Sequence, residues 1–173
     1  MRTLRFLAVS LCLFAAVSLV AQEHRPKPVP NAAFDRLKTL AGDWKGKYVG
    51  PEGTFEGMAN FKVVSAGSAM MLSMDEHNEA TEMITMFHPD GEKQLMATHY
   101  CSGQNQPRMR LTAMPDASVL EFDFVDGTNL RGGHMKKLVI TIVDADHHVQ
   151  TWSYDDGKGN MTTAKMEYTR VKS

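Results

Sequence analysis

The sequence predicts an all-β fold, namely an antiparallel up-and-down β-barrel of about ten strands with one short N-terminal helix plugging one end. Short apolar and β-branched runs recur at a spacing of roughly 10–13 residues, and turn-forming residues separate them. No segment between these runs has the sustained periodicity of a crossover helix. A sheet of this length closes readily into a barrel, because closure removes its unpaired edges.

The strands and the helix are placed by their apolar periodicity and by the turn residues between them. We predict strands near 43–49, 54–64, 69–76, 81–88, 93–100, 107–114, 119–125, 135–144, 148–154 and 161–171. The helix lies between Asn31, which is suited to the N-cap, and Gly42, which is suited to the end. Its apolar face is formed by Phe34, Leu37 and Leu40.

The up-and-down topology assigns the loops to the two ends of the barrel. The helix, the Asp90-Gly91 turn, the loop near Pro115 and the Asp144–His147 turn lie at one end, which the helix is expected to close. The loops at 50–53, 77–80, 101–106, 126–134 and 155–160 lie at the other end, which is the predicted mouth.

The N-terminus has the features of a secretory signal peptide. Arg2 and Arg5 form a basic region, Phe6–Val20 is apolar, and Ala21 precedes a plausible cleavage site. The apolar segment is too short for a stable membrane span, although a retained anchor is the alternative interpretation. We therefore expect export to the periplasm or the medium. The chain divides into a signal peptide at 1–21, an extended tether at 22–30 and a β-barrel domain at 31–173.

Charge and cysteine content narrow the classes of partner. Without the signal segment, 17 basic residues stand against 20 acidic residues, a net charge of −3 with neutral histidine. This charge does not favour nucleic acid or an anionic membrane surface. Cys101 is then the single cysteine, so stability has to come from a hydrophobic core and not from an intramolecular disulfide. A small molecule is the expected partner, and the sequence does not indicate an oligomeric state.

One hairpin allows a register to be predicted. The Pro89–Glu92 segment contains Asp-Gly, the preferred pair for a two-residue type I′ turn. This register pairs Glu82 with His99 and directs His99 and Cys101 into the barrel near the mouth. It also places four apolar residues on the inner face: Ile84, Met86, Leu95 and Ala97.

The Thr98–Met109 segment has the densest set of hydrogen-bonding side chains, so we expect a ligand site there. Asn105, Gln106 and Arg108 would either orient a polar or anionic ligand head or cap loop backbone groups. Gly132-Gly133 would either let a second mouth loop move or serve as turn residues. The predicted ligand-binding residues are Glu82, His99, Cys101, Asn105, Gln106, Arg108, Asn129 and His134.

An enzymatic alternative uses the same residues. A Glu82 carboxylate beside His99 would fix its tautomer and raise its pKa, as a base needs, or the two would form a structural pair. Cys101 has no nucleophile motif around it, and with His134 the set matches no zinc spacing. We therefore expect neither a catalytic residue nor a metal site, and no cofactor. A haem or metal carrier is the remaining alternative.

The start of the first predicted strand carries a family resemblance. Gly42-Asp43-Trp44 resembles the Gly-x-Trp signature of lipocalins and related calycin barrels, in which the Trp packs at the closed end beneath an Arg from the last strand. The topology puts Arg170 beside Trp44. The chain also resembles uncharacterised secreted bacterial proteins with lipocalin-like barrels, which implies a fold but no activity. The matching segments are Phe34–Trp44, Met86–His88, Thr98–Cys101, Asn105–Met109, Phe122–Asn129, His134-Met135 and Asp144–His147.

Nitrobindin-like haem barrels are similar more distantly. That resemblance implies an axial histidine from a late strand, and the last two strands of this chain offer only His148, near the closed end. The leading hypothesis is an exported barrel that binds a small apolar or amphipathic molecule at its mouth. A minority of the strand methionines would give its cavity an adaptable apolar lining.

Overall fold

The computed structural model describes residues 28–50, 53–75 and 82–172, and these ranges form one closed antiparallel barrel. Each strand pairs with its neighbours in sequence, and the last strand closes the ring against the first, so the predicted fold class is confirmed. Helix α1 spans Ala32–Lys38. The strands are β1 Gly42–Gly50, β2 Gly53–Val64, β3 Ala69–Asp75, β4 Met83–Asp90, β5 Gln94–Tyr100, β6 Gln106–Ala113, β7 Val119–Thr128, β8 His134–Ile142, β9 His147–Asp155 and β10 Met161–Arg170.

All ten predicted strands are present, with bounds within three residues of the expected ones over the described ranges. The alternation that predicted them is the alternation of burial, because successive side chains of a strand point to opposite faces. On β9, for example, His148, Gln150 and Trp152 are buried and their neighbours are not. The signal segment and most of the tether lie outside the described residues. Within the described ranges, no helix is both long and apolar enough to cross a membrane.

Asn31 joins the helix to the barrel. Its Oδ1 accepts a hydrogen bond from the Phe34 N–H at 2.9 Å, which makes it the predicted N-cap. Its Nδ2 donates to the carbonyl oxygens of Gly91 and Gln94 at 3.2 and 2.9 Å. One side chain therefore satisfies a free helical N–H and fixes the β4–β5 turn against the helix at the closed end.

The same end is held by Arg170 and Trp44, which face each other across β10 and β1. The Arg170 guanidinium lies 4.1 Å from the centroid of the Trp44 ring, which is fully buried. The indole N–H donates to the Leu40 carbonyl at 2.8 Å. The contact implied by the lipocalin resemblance is therefore present. Arg170 also donates, at 2.7–2.9 Å, to the carbonyls of Thr39, Ala41 and Ala145.

The β4–β5 hairpin differs from its predicted register. Asp90 pairs with Gln94, so the loop has three residues, 91–93, where the Asp-Gly pair predicted two. Gly91 adopts a φ of 74°, and Asn31 holds the carbonyls on both sides of the loop. A contact from the distant helix thus fixes the longer turn, and a local turn preference does not contain that information.

The changed register inverts the faces of β4 only. Leu95 and Ala97 of β5 are buried as predicted, whereas Ile84 and Met86 of β4 are only half-buried, because they lie on the outer face. The inward residues of β4 are Met83, Thr85 and Phe87. The predicted pairing of Glu82 with His99 is therefore wrong, and the residue opposite His99 is Thr85.

His148 occupies an aromatic cage above the sealed end. Its ring stacks on Tyr168 at 4.7 Å and meets the edges of Trp44 at 4.3 Å and Phe61 at 5.5 Å between centroids. Gly46 provides the room, because a Cβ there would lie 2.7 Å from Cδ1 of Tyr168. Burial, with the nearby positive charge of Arg170, lowers the pKa of His148 to about 3.

We expect His148 to make the protein less stable as the pH falls below about 6.5. The unfolded chain protonates this histidine near its ordinary pKa of 6.5, whereas the folded chain resists protonation down to about pH 3. The unfolded state therefore binds more protons in this window, which costs about 1.4 kcal/mol of stability per pH unit. Urea unfolding of wild type and His148→Phe between pH 7.5 and 4.5 measures the difference in slope.

As the pH falls below about 6.5, the free energy of unfolding of His148→Phe should decrease less steeply than that of wild type, by about 1.4 kcal/mol per pH unit. His88→Gln is the matched control, since His88 is exposed on the outer face of β4, and it should keep the wild-type slope. Identical slopes for wild type and His148→Phe would contradict the assignment of a neutral, caged imidazole.

Candidate functional site

A cavity of about 490 Å³ opens at the end of the barrel opposite the helix, where the sequence predicted a mouth. Its lining is mainly apolar and comes from strands that are far apart in sequence. Four of the lining residues are methionines, as expected for a minority of the strand methionines. The large apolar and aromatic contributors are Tyr48, Met74, Met83, Met135, Trp152 and Met166.

Polar groups on the cavity lining are hydroxyls and one carboxylate. The carboxylate is that of Asp156, and the hydroxyls come from Ser102, Thr162 and Thr163 and from the phenols of Tyr48 and Tyr154. Hydrogen bonds from the Asn160 side chain and from the backbone of Lys158 and Asn160 lower the pKa of Asp156, so it is ionised at neutral pH. Within the described ranges, no lysine or arginine lines the cavity. Among the described residues, the one fixed charge on the lining is therefore the negative charge of Asp156.

Cys101 is the one predicted site residue that lines the cavity directly. It is half-buried, and its Sγ accepts a hydrogen bond from the Gly103 N–H at 3.4 Å. Its backbone closes a tight loop with Gln104 and Asn105. Tyr154 also lines the cavity. Burial and nearby acidic groups, Cys101 among them, raise the pKa of its phenol. The phenol is therefore a neutral hydrogen-bond donor at neutral pH.

His99 lies on β5, two residues before Cys101 and therefore farther from the mouth, and it is fully buried. Its Nδ1 is 2.9 Å from Thr85 Oγ1, and its ring centroid is 5.0 Å from that of Trp152. Burial lowers the pKa of His99 to about 4, so the imidazole is neutral at neutral pH. Its Nε2 has no hydrogen-bond partner among the described residues.

Below Trp152, a polar row continues down the inner face of β9. The Trp152 indole N–H donates to Gln150 Oε1 at 3.0 Å. Because an indole can only donate, this bond fixes the orientation of the Gln150 amide. The amide nitrogen then donates to Nε2 of His148 at 3.2 Å, which leaves the His148 proton on Nδ1.

This arrangement does not fit the axial-ligand role that the nitrobindin resemblance implies for His148. Its Nε2 is occupied by Gln150, and Trp44, Phe61 and Tyr168 surround the ring. In the part of the chain that the structure describes, no three His, Cys, Asp or Glu side chains converge as metal ligands would.

Asn105 joins two mouth loops and does not line the cavity. It is buried, and its Nδ2 donates to the carbonyl of Gly133 at 3.0 Å. A Cβ on Gly157 would lie 2.7 Å from the Gly132 backbone, so a third loop packs against the same segment. These contacts agree with the capping interpretation of Asn105 and with a turn role for Gly132-Gly133.

The remaining predicted residues lie outside the cavity. Arg108 forms a two-point ion pair with Asp126 on the exposed surface, with Nη2 2.6 Å from Oδ2. Gln106 Oε1 accepts from Thr128 at 2.6 Å and from Asn129 at 3.2 Å. Gln106, Arg108 and Asn129 therefore do not line this cavity, and their polar groups are paired with neighbouring strands and loops.

His134 and Glu82 are likewise not among the lining residues. His134 packs against Phe124 with 4.6 Å between ring centroids, and both of its nitrogens are buried without a partner among the described residues. Glu82 is exposed and lines an outer groove with Asp43 and Asn60. Glu82 therefore does not orient His99 as a base, and the enzymatic alternative loses the residue pair on which it rested.

Sequence reasoning missed most of the lining because it concentrated on one segment. The walls on β1, β9 and β10 include Tyr48, Trp152, Tyr154 and Met166. The signal was present in alternate residues near the mouth ends of the last two strands, namely Trp152 and Tyr154, and Ala164 and Met166. The sequence did not show that the space between these side chains stays open.

Comparison with known proteins supports the fold. No protein-family model matches the sequence, and no curated protein does. The crystal structure of Rv2717c from M. tuberculosis is similar, with 14% identity, a TM-score of 0.60, and coverage of 84% of this chain and 100% of that one. S-type phycobiliprotein lyase CPES from Guillardia theta has 15% identity, a TM-score of 0.52, and coverage of 81% and 91%.

A third structure, a protein of unknown function from the DUF3598 family of Nostoc punctiforme PCC 73102, has 12% identity and a TM-score of 0.55. The match covers 86% of this chain but 53% of that one. Identities this low show a shared fold and transfer no activity. The three structures therefore support the closed antiparallel β-barrel fold of this chain.

Proposed function

We propose that this chain is an exported barrel that binds a small apolar or amphipathic molecule in the cavity at its open end. The observation that carries the proposal is the cavity itself. Its volume of about 490 Å³ falls within the range of roughly 300–1,000 Å³ that is typical of small-molecule sites. Its lining combines methionines and aromatic rings with a few polar groups, as such sites do.

The lining also favours one class of ligand over others. Methionine side chains adapt their shape to the molecule they contact, so we expect a family of related apolar ligands and no narrow steric selection. The Asp156 carboxylate disfavours an anionic head at the mouth. The sequence suggested that Arg108 could orient an anionic ligand head. Arg108 instead lies outside the cavity, in an ion pair with Asp126.

A cavity-filling substitution tests the binding function. We expect wild type to bind 2-isopropylnaphthalene with a dissociation constant in the micromolar range, measured by the fluorescence of the naphthalene. Ala164 lines the cavity, so Ala164→Phe should weaken binding at least tenfold by occupying the ligand's volume.

Lys165→Phe is the matched control, because Lys165 is the next residue of β10 and is exposed on the outer face. It should bind as wild type does. Far-UV circular dichroism would establish that both variants are folded. Equal affinities for Ala164→Phe and wild type would show that the cavity is not the binding site.

Export is the second part of the proposal. It is supported by the basic start, the apolar Phe6–Val20 segment and the small residue Ala21 before the cleavage point. We expect protein expressed from the full sequence in a bacterial host to appear in the periplasm or medium with the mass of residues 22–173. Uncleaved protein in the cytosol or retained in the membrane would contradict export of a soluble mature chain.

A further inference from the structure

His99 presents a hydrogen-bonding atom that no described residue satisfies. The side chain is fully buried, and Nε2 has no partner. Leaving a buried polar atom unpaired costs roughly as much as a full hydrogen bond is worth, so such atoms are rare in folded proteins. Leucine would pack at this position without that cost, so a histidine here points to a hydrogen-bond partner beyond the described residues.

The direction of Nε2 follows from the way the ring is held. Nδ1 is bound to Thr85 Oγ1 on the adjacent strand β4, so that side of the ring faces the barrel wall. Nε2, on the far side of the ring from the backbone, then points into the interior, where the Trp152 ring lies against His99. Met83 on β4 and Cys101, which directly follows β5, are the next inward residues toward the mouth, and both line the cavity. His99 is not itself on the lining, so Nε2 lies just beneath the cavity floor that these residues form.

The pairing with Thr85 also determines what Nε2 offers. If Nδ1 carried the proton, the Thr85 hydroxyl hydrogen and the Nε2 lone pair would both be unpaired. If Thr85 donates to Nδ1, only the Nε2–H group is unpaired. The second arrangement leaves fewer buried groups unsatisfied, so it is the favoured tautomer. His99 thus directs an N–H donor at the floor.

We propose that the cavity selects molecules with an uncharged hydrogen-bond acceptor, in the simplest case a carbonyl oxygen, on the end that enters first, and that His99 Nε2–H donates to it. This inference rests on the proposed binding function and adds the chemistry and orientation of the ligand. Ketones, esters, amides and quinones belong to the class, with the apolar body lying among Met74, Trp152 and Met166.

A carboxylate at the buried end would not be accommodated. Burial keeps His99 neutral at neutral pH, and no lysine or arginine lines the cavity within the described ranges. A buried anion without a cationic partner is strongly disfavoured in an apolar environment. The neutral acceptor is therefore distinguished from the acid of the same carbon skeleton.

Two nearly isosteric probes test the inference. 2-Acetylnaphthalene carries a carbonyl oxygen where 2-isopropylnaphthalene carries a methyl group. We expect His99→Leu to weaken binding of 2-acetylnaphthalene about tenfold, the effect of losing one buried hydrogen bond, and to change binding of 2-isopropylnaphthalene less than twofold. Comparing the two probes across the two proteins cancels their different hydration, as in a double-mutant cycle.

His88→Leu is the control variant, because it replaces an exposed histidine on the outer face of β4, and it should bind both probes as wild type does. If His99→Leu weakens the binding of both probes equally, or of neither, the proposed hydrogen bond to His99 is refuted while the binding function of the cavity stands. If wild type binds neither probe, the binding function fails and the inference fails with it.

A measurement on wild type guards against a His99→Leu variant that does not fold. In ¹⁵N-histidine-labelled protein, His99 should show the Nε2-protonated tautomer, and its Nε2–H proton should move downfield with 2-acetylnaphthalene only. An Nδ1-protonated ring, or an unchanged signal in the saturated complex, would overturn the proposal.

Discussion

The contact between Arg170 and Trp44 is the constraint on which the rest of this barrel depends. The guanidinium covers the buried indole and donates to three carbonyls, two at the end of the helix and one in the β8–β9 turn. It thereby joins the first strand, the last strand, the helix and a distant turn at one end. A lysine would not reproduce this, because only the planar guanidinium stacks and donates in several directions at once. The seam between β1 and β10 is fixed here, and with it the inward faces of β9 and β10.

Fixing those faces separates a tightly packed end of the interior from an open one. From the seal upward, His148, Gln150 and Trp152 follow one another on β9, and the indole and amide groups are paired within the row. The row ends where the Trp152 ring meets His99, whose Nε2 is left without a partner below an apolar cavity. One end of the barrel is thus sealed by the helix and Arg170, and the other end retains both the space and the hydrogen-bonding capacity that a ligand needs.

Periodicity predicted the fold well, because alternation of burial along a strand is recorded in the sequence itself. The N-cap Asn31 and the place of Arg170 beside Trp44 also followed from local chemistry and topology. The inward face of β4 was not predicted correctly, because Asn31 of the distant helix holds the β4–β5 turn. The local Asp-Gly preference predicts a shorter loop. The cavity lining was missed for a related reason: whether Arg108 reaches a ligand or pairs with Asp126 depends on the neighbouring strand, which a single segment does not show.

The central claim is that the open end holds a small molecule whose acceptor reaches His99. A crystal structure of the protein with 2-acetyl-6-bromonaphthalene tests it most directly, since anomalous scattering locates the bromine without bias. The account predicts a bromine peak inside the cavity toward the mouth and the acetyl oxygen about 3 Å from His99 Nε2. A bromine on the outer surface, or an acetyl group turned to the mouth with Nε2 still unpaired, would contradict it.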